Sequence, residues 1–461
     1  MIERPKPSRR DFLKASTATA AGALLVGGLS LQQSVHAAGS DKIKIALIGC
    51  GGRGNGAAQN CMQADPAVQL IAVADAFEFQ AKNAANDFRN SNDFKTRVDI
   101  PDDRVFSGLD AYQKAIACGA DMIVTATPPG FRPMIYAAAI QAGKHVFMEK
   151  PCCVDAAGFR KLMEANKLAD EKGLKVGVGF QRRHTPSYVE TIEKIHDGAI
   201  GKLMFLRAYW NGGGIWNRRR AELAGILKRE PTEMEYQVFN WYHFCWVSGD
   251  NICEQHIHNL DVCNWAKGDH PVAANGMGGC SLRYLGDWKG TGQIFDHHFV
   301  EFTYKDDTKM FSQCRHMANC WEPVGEAAHG TKGKSNCAGS IELDEGVEVK
   351  STGPAKAKAK GKKRQRTGVD SMVQEHKDLI EAIRSGAKYN EGWHGASSSM
   401  TAVLGRMATY SGKEVKWDEA IKKGTSEFPK DLAWNADPPV KPDKDGNYPI
   451  PVPGVWSPYE S

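Results

Sequence analysis

Apolar positions fall in short blocks along the first part of the chain. Lys42-Ile43-Lys44-Ile45-Ala46-Leu47-Ile48 closes on consecutive apolar residues and predicts a strand entering a buried sheet. Gly49-Cys50-Gly51-Gly52-Arg53-Gly54 follows at once, and Ala57-Ala58-Gln59-Asn60 begins a helix. Gln69-Leu70-Ile71-Ala72-Val73-Ala74 predicts a second strand ending on Asp75, with a helix over 79–90. A polar loop and a helix over 109–118 come next. Asp121-Met122-Ile123-Val124-Thr125-Ala126 is a third core strand, closed by Pro128-Pro129. A helix over 132–142, stopped by Gly143, leads to a strand at Lys144-His145-Val146-Phe147-Met148. Strands alternating with helices, punctuated by Gly and Pro, predict an α/β fold with a parallel, doubly wound sheet.

From Leu174 the pattern changes, so the first domain is set at 41–173 and a second at 174–425. Lys175-Val176-Gly177-Val178-Gly179-Phe180 could still be the last strand of the first sheet. A connecting helix over 186–197 precedes strands over 203–210, 276–284, 299–304 and 309–315, which predict a second, open and mainly antiparallel sheet. An amphipathic helix over 370–385 offers Val373, Leu379, Ile380 and Ile383 as its apolar set, and a further helix runs over 397–410. The basic, low-complexity run within 353–368 reads as a solvated loop, with a polyanion contact as the alternative. The tail over 426–461 reads as extended.

The first forty residues stand apart. Ser8-Arg9-Arg10-Asp11-Phe12-Leu13-Lys14, an apolar stretch over 18–31 and Val35-His36-Ala37 match a twin-arginine export signal with its cleavage site. That stretch is too short and too rich in small residues to predict a stable membrane span. The twin-arginine route carries folded proteins, so a cofactor can be captured before export to the periplasm. With 461 residues, 42% hydrophobic and 25% charged, the chain is long enough for two domains. A net charge of +5 gives no reason to infer a nucleic-acid partner. The 12 cysteines lack paired CxxC spacing and read as reduced, buried side chains.

The glycine string fits GxGxxG at Gly49, Gly51 and Gly54. It is weak alone and stronger between a strand and a helix with Asp75 about twenty positions on. Gly49 permits the tight turn, Gly51 lets backbone approach a pyrophosphate, and Gly54 allows close helix–strand packing. Gly52 and Arg53 lie in the same glycine turn and join the cofactor candidates, and the N-terminus of the helix that follows would offer its N–H groups to the phosphates. Asp75 would accept hydrogen bonds from the adenosine ribose, favouring NAD, with NADP open. A helix-capping role for Asp75, and a Rossmann-like domain without cofactor, are the bland alternatives.

Ala126-Thr127-Pro128, Ala142-Gly143-Lys144-His145-Val146 and Glu149-Lys150-Pro151 together resemble the glucose–fructose oxidoreductase / inositol dehydrogenase (Gfo/Idh/MocA) family. The likeness continues through Val178-Gly179-Phe180-Gln181-Arg182-Arg183, from Gly249 to Trp265 and from Gln374 to Lys413. It implies a Rossmann domain followed by an α/β domain on an open antiparallel sheet. It adds Thr127, Pro128 and Glu149 to the cofactor site and places Lys150 between nicotinamide and substrate, where an ammonium stabilises developing alkoxide charge. Glu254-Gln255-His256-Ile257-His258-Asn259-Leu260-Asp261 is its second signature. On one helix Glu254, His258 and Asp261 lie near one face. Neutral His258 would take the hydroxyl proton, and Glu254 would orient or polarise it, although the family usually has Asp there. Asp261 is structural or a weak substrate contact. Gln181, Arg182 and Trp216 are further weak substrate candidates, Arg218 to Arg220 read as a solvated face, and the role of Arg132 is open. No metal is expected, because His243, His256 and His258 lack clear further ligands.

The resemblance therefore implies an NAD(P)-dependent oxidoreductase acting on a sugar, polyol or related CH–OH substrate. An open sheet face in the second domain adds the expectation of a homo-oligomer. A tightly held, recycled cofactor fits an exported enzyme. The alternatives are a glycoside hydrolase or lyase working by transient oxidation and elimination, and a non-catalytic dinucleotide-binding protein of the envelope.

Overall fold

The computed structural model describes residues 41–282, 290–344, 346, 348–350 and 370–459. The export signal, the basic run and the end of the strand expected over 276–284 lie outside the described residues, wholly or in part.

Six strands form the first sheet: β1 (Ile43–Ile48), β2 (Val68–Asp75), β3 (Val105–Ser107), β4 (Met122–Thr125), β5 (His145–Met148) and β6 (Val176–Val178). Their order is β3-β2-β1-β4-β5-β6 and every pairing is parallel. The strand order reverses beside β1, so the turns leaving β1 and β4 flank one crevice at the carboxyl ends of the strands. Two backbone bonds lock these turns, Gly49 N–H to Ala74 O at 2.8 Å and Ala126 N–H to Ile48 O at 2.8 Å. Helices cover both faces, and β1, β2, β4 and β5 are accordingly almost continuously buried. Because β6 pairs with β5, the first sheet extends past the expected boundary at 173.

The second sheet has nine strands in the order β14-β13-β12-β11-β7-β10-β9-β8-β15. They are β7 (Leu203–Gly212), β8 (Ala273–Gly279), β9 (His297–Thr303), β10 (Lys309–His316), β11 (Val324–Gly330), β12 (Gly333–Ser335), β13 (Ser340–Leu343), β14 (Glu348–Lys350) and β15 (Val415–Lys416). Only the β7–β10 pair is parallel. Burial alternates residue by residue along β10, so one face meets the core and the other does not. Helices Ile257–Lys267 and Gly392–Ser411 pack on the covered face. Helix Gly392–Ser411 also packs against helix Ala156–Glu171 of the first domain, which explains why it is buried nearly all round.

Helix Ser371–Ser385 departs from its expected face. Leu379, Ile380 and Ile383 are buried, but Val373 is only partly so, and Glu375 and His376 are buried in the same helix. It lies against helix Gly52–Ala64 of the Rossmann domain, so the chain returns to its first domain at the end. Cys152 and Cys153 are fully buried thiols with no bridge between them, and burial pushes the Cys152 thiol up to about 12. Among the described residues no helix is long and apolar enough to cross a membrane.

Candidate dinucleotide and catalytic site

The crevice opens into a cavity of about 510 Å³ lined by Gly49, Gly51, Gly52, Arg53, Gly54, Asp75, Thr127, Pro128, Glu149, Lys150 and Glu254, among others. Backbone geometry explains the glycines. Gly49 sits at φ +95°, and a Cβ there would meet Thr127 N at 2.6 Å. A Cβ on Gly54 would lie 1.8 Å from Gly49 O, so the helix can approach the turn only without a side chain. Gly51 and Gly52 face open space, where a Cβ would meet nothing within 4 Å. Helix Gly52–Ala64 begins with no side-chain cap and no acidic residue in its first turn. Its uncapped N–H groups and partial positive charge therefore fit a pyrophosphate.

Asp75 ends β2 at the edge of the same cavity. Its Oδ2 accepts from Cys50 N–H at 2.7 Å and its Oδ1 from Phe77 N–H at 2.9 Å. Helix Glu78–Asn90 has Phe77 as its N-cap, with no side-chain cap bond, so Asp75 is not the cap. Burial raises the Asp75 carboxyl above its ordinary value, against the pull of those two N–H groups and of Arg218. Each carboxylate oxygen keeps acceptor capacity for a ribose hydroxyl. The residues present thus fit an adenine dinucleotide.

Arg53 Nε holds Glu149 Oε1 at 2.9 Å, tying the glycine loop to the end of β5. Gly179 makes this possible, since a Cβ there would sit 2.5 Å from Glu149 Oε2. Arg132, left open by the sequence, is buried between the turns after β4 and β5. It donates to Thr127 O at 2.6 Å and to Pro151 O, and so fixes the backbone on both sides of the crevice.

Lys150 Nζ lies 2.5 Å from Glu254 O and 3.1 Å from Glu254 Oε1. Both side chains are largely enclosed, at 14% and 16% exposure. The expected single helix is broken here: helix Asn251–Glu254 ends at the glutamate, and His258 stands in the first turn of helix Ile257–Lys267. Glu254 meets Lys150 from the end of the first of these two helices. His258 is buried between the rings of Phe180 and Trp210, at 6.1 and 6.0 Å, and its Nδ1 has no partner among the described residues. Burial, Lys150 and Arg182 hold its imidazole well below the ordinary range, so it is neutral near pH 7.

His258, Gln181, Arg182 and Asp261 do not line the cavity that holds Lys150. Asp261 is 1% exposed and is gripped by Arg183 Nε at 2.9 Å and Ser398 Oγ at 2.7 Å, which favours the structural of its two readings over the substrate contact. Arg182 pairs with buried Glu326, which Asn259 also reaches at 2.6 Å, and so is engaged inside the second domain. Gln181 opens a short 3-10 turn and its carbonyl accepts from Thr185 Oγ1 at 2.9 Å. His243 bonds Trp216 O at 2.8 Å and His256 bonds Ser312 Oγ at 2.7 Å.

Trp216 does line the cavity, and it brings residues that periodicity could not reveal: Arg218, Val238 and Trp241, all from the second half of the fold. Arg218, expected on a solvated face, is half-buried with its guanidinium 4.5 Å from the Trp216 ring and 5.1 Å from that of Phe239. The only sequence signal was the proximity of Arg218 to aromatic residues.

A six-stranded 3-2-1-4-5-6 sheet with a glycine turn, an uncapped helix start and an acidic strand end defines a dinucleotide-binding Rossmann domain, here joined to an open-sheet domain. Residues 43–180 match the Gfo/Idh/MocA family model, described as oxidoreductase family, NAD-binding Rossmann fold. Residues 6–26 match the twin-arginine translocation signal sequence, so export by that route is indicated. Inositol 2-dehydrogenase of Acidothermus cellulolyticus is 32% identical over 223 residues, 48% of this chain and 53% of that protein. The NAD(+)-dependent scyllo-inositol 2-dehydrogenase of Bacillus subtilis is 24% identical over 51% of this chain and 57% of its own length. The matches thus span little more than half the length of these curated relatives. Among solved structures, aldose-aldose oxidoreductase from Caulobacter crescentus, complexed with glycerol, shares the fold with a TM-score of 0.60 at 17% identity, covering 81% of this chain and 99% of its own. Levoglucosan dehydrogenase, in complex with NADH and levoglucosan, has a TM-score of 0.62 at 17% identity with the same coverage.

Proposed function

We propose that this chain is a periplasmic NAD(P)-dependent oxidoreductase acting on a CH–OH group of a sugar, polyol or related alcohol. The observation that carries the reading is Lys150, which lines the same cavity as the glycine turn and Asp75. Nicotinamide, when bound, supplies the hydride acceptor or donor. Lys150, fixed by the backbone oxygen and carboxylate of Glu254, donates a hydrogen bond to the reacting oxygen as it gains negative charge. Glu254 is a positioning residue, since its contact with the reaction passes through Lys150. Neutral His258 has the protonation state a proton acceptor needs. The names of the inositol and aldose enzymes similar to this chain make inositols and aldoses the first substrates to try.

Lys150→Ala is expected to lower turnover on the order of 10²–10³-fold while NAD still binds, because one preorganised donor at the oxyanion is lost. Steady-state kinetics beside a calorimetric NAD titration separate the two effects. Unchanged turnover would sink the assignment of Lys150. Glycoside cleavage without net NADH formation would instead favour the redox-assisted hydrolase or lyase.

A further inference from the structure

The adenosine corner of the crevice is walled by the second half of the fold. Phe77, two residues beyond Asp75, packs edge-on against Phe239 at 6.1 Å and lies tilted against Trp434 of the C-terminal tail at 5.2 Å. The chain leaving β7 then brings Trp216 and Arg218 onto the same cavity as Asp75. Several bonds hold this segment in place. His243 Nε2 reaches Trp216 O at 2.8 Å, Asn240 Oδ1 accepts Arg218 N–H at 2.9 Å, and Asn240 Nδ2 reaches Asn217 Oδ1 at 3.1 Å. Arg218 Nη1 donates to Phe239 O at 3.0 Å. Among the described residues Arg218 has no carboxylate within ion-pair distance, although Asp75 and Glu222 both act on it electrostatically. A cation and a carboxylate thus line one cavity without touching, and a guanidinium fork has more donors than the single one used here.

We infer that Arg218 is a cofactor-binding residue which faces Asp75 across the adenosine ribose, donating to ribose or ribose-phosphate oxygens while Asp75 accepts from the hydroxyls. The inference rests on the dinucleotide reading above and deepens it. Asp75 alone favours NAD, because a 2′-phosphate would meet a carboxylate. Arg218 opposite moderates that repulsion, so the site accepts NADP as well. Because Arg218 is anchored to Phe239 and Asn240, release of the adenosine half requires this wall to open, and the dinucleotide leaves slowly.

The test is a titration of the mature, cofactor-stripped chain with NAD and with NADP, followed by displacement to read the dissociation rate. Wild type is expected to bind both. Arg218→Ala should weaken NAD about tenfold, weaken NADP further, and speed NAD release, in protein whose circular dichroism shows that it remains folded. Arg218→Lys keeps the charge, preserves the wall if the alanine variant fails to fold, and should recover part of the NADP affinity. A folded variant with wild-type affinities, NAD-to-NADP ratio and release rate would overturn the role of Arg218 and leave the dinucleotide reading intact. A wild-type chain that binds neither dinucleotide would overturn both.

Discussion

Single atoms decide much of this site. A Cβ added to Gly54 would stand 1.8 Å from Gly49 O, and backbone cannot yield as a flexible side chain can. Gly54→Ala is therefore expected to destabilise the fold by about 1–3 kcal/mol, as overpacking does, and to weaken NAD more than tenfold by displacing the turn. Chemical denaturation and a binding titration check the two parts, and wild-type behaviour in both would contradict the packing argument. His258 gives a prediction in pH. Its imidazole is held well below the ordinary value by burial, Lys150 and Arg182, so it stays neutral as pH falls through about 6.5. The acid limb of kcat/KM should thus lie well below 6.5. A limb centred near 6.5 that disappears in His258→Ala would contradict a buried, neutral base.

At the scale of elements, His184 is a pin between the turn after β6 and the last part of the chain. Its Nδ1 lies 2.6 Å from Asp378 of helix Ser371–Ser385 and its Nε2 3.1 Å from Glu391. Burial alone would lower His184, but the hydrogen bonds and charges of Asp378 and Glu391 outweigh it and raise it to about 9. A raised folded pKa means that the stabilisation is complete below the unfolded value of about 6.5 and is lost as pH climbs toward 9. The difference corresponds to roughly 3 kcal/mol. Thermal melts from pH 6 to 10 should show stability falling across that window and a flatter profile for His184→Ala; equal slopes would remove the pin. Elements also show where sequence reading fell short. Helix Ala156–Glu171 has legible signals, an Asp155 cap accepting Gly158 N–H at 2.6 Å and Phe159, Leu162, Ala165 and Ala169 on its buried face. An early Gly158 and many alanines weaken that pattern. Strands β12 to β14 are only three or four residues long at one end of the sheet and β11 beside them carries two glycines, so neighbours rather than apolar alternation hold them.

The whole molecule closes a cofactor site that its first domain begins. The turn after β1 and the acidic end of β2 come from one continuous stretch, while Glu254, Trp216, Arg218 and Trp241 arrive at the same cavity from far along the chain. Helix Ser371–Ser385 returns to pack on helix Gly52–Ala64, and Trp434 reaches Phe77, so both late segments support the early domain.

By itself the sequence determined what depends on local order. The alternation of buried strands and helices specified the parallel sheet, and GCGGRG followed by Asp75 specified the crevice, because turn chemistry and strand periodicity act between near neighbours. The tertiary structure alone decided which distant side chains converge. It broke the helix between Glu254 and His258 and paired Glu254 with Lys150; it drew Asp261 and Arg182 into ion pairs inside the second domain. It also carried Arg218 from an expected solvent face to a cavity wall. The first three rest on burial and charge pairing between segments far apart in the chain, and Arg218 on packing against the rings of Trp216 and Phe239; no local pattern encodes which buried partner a charged residue will meet.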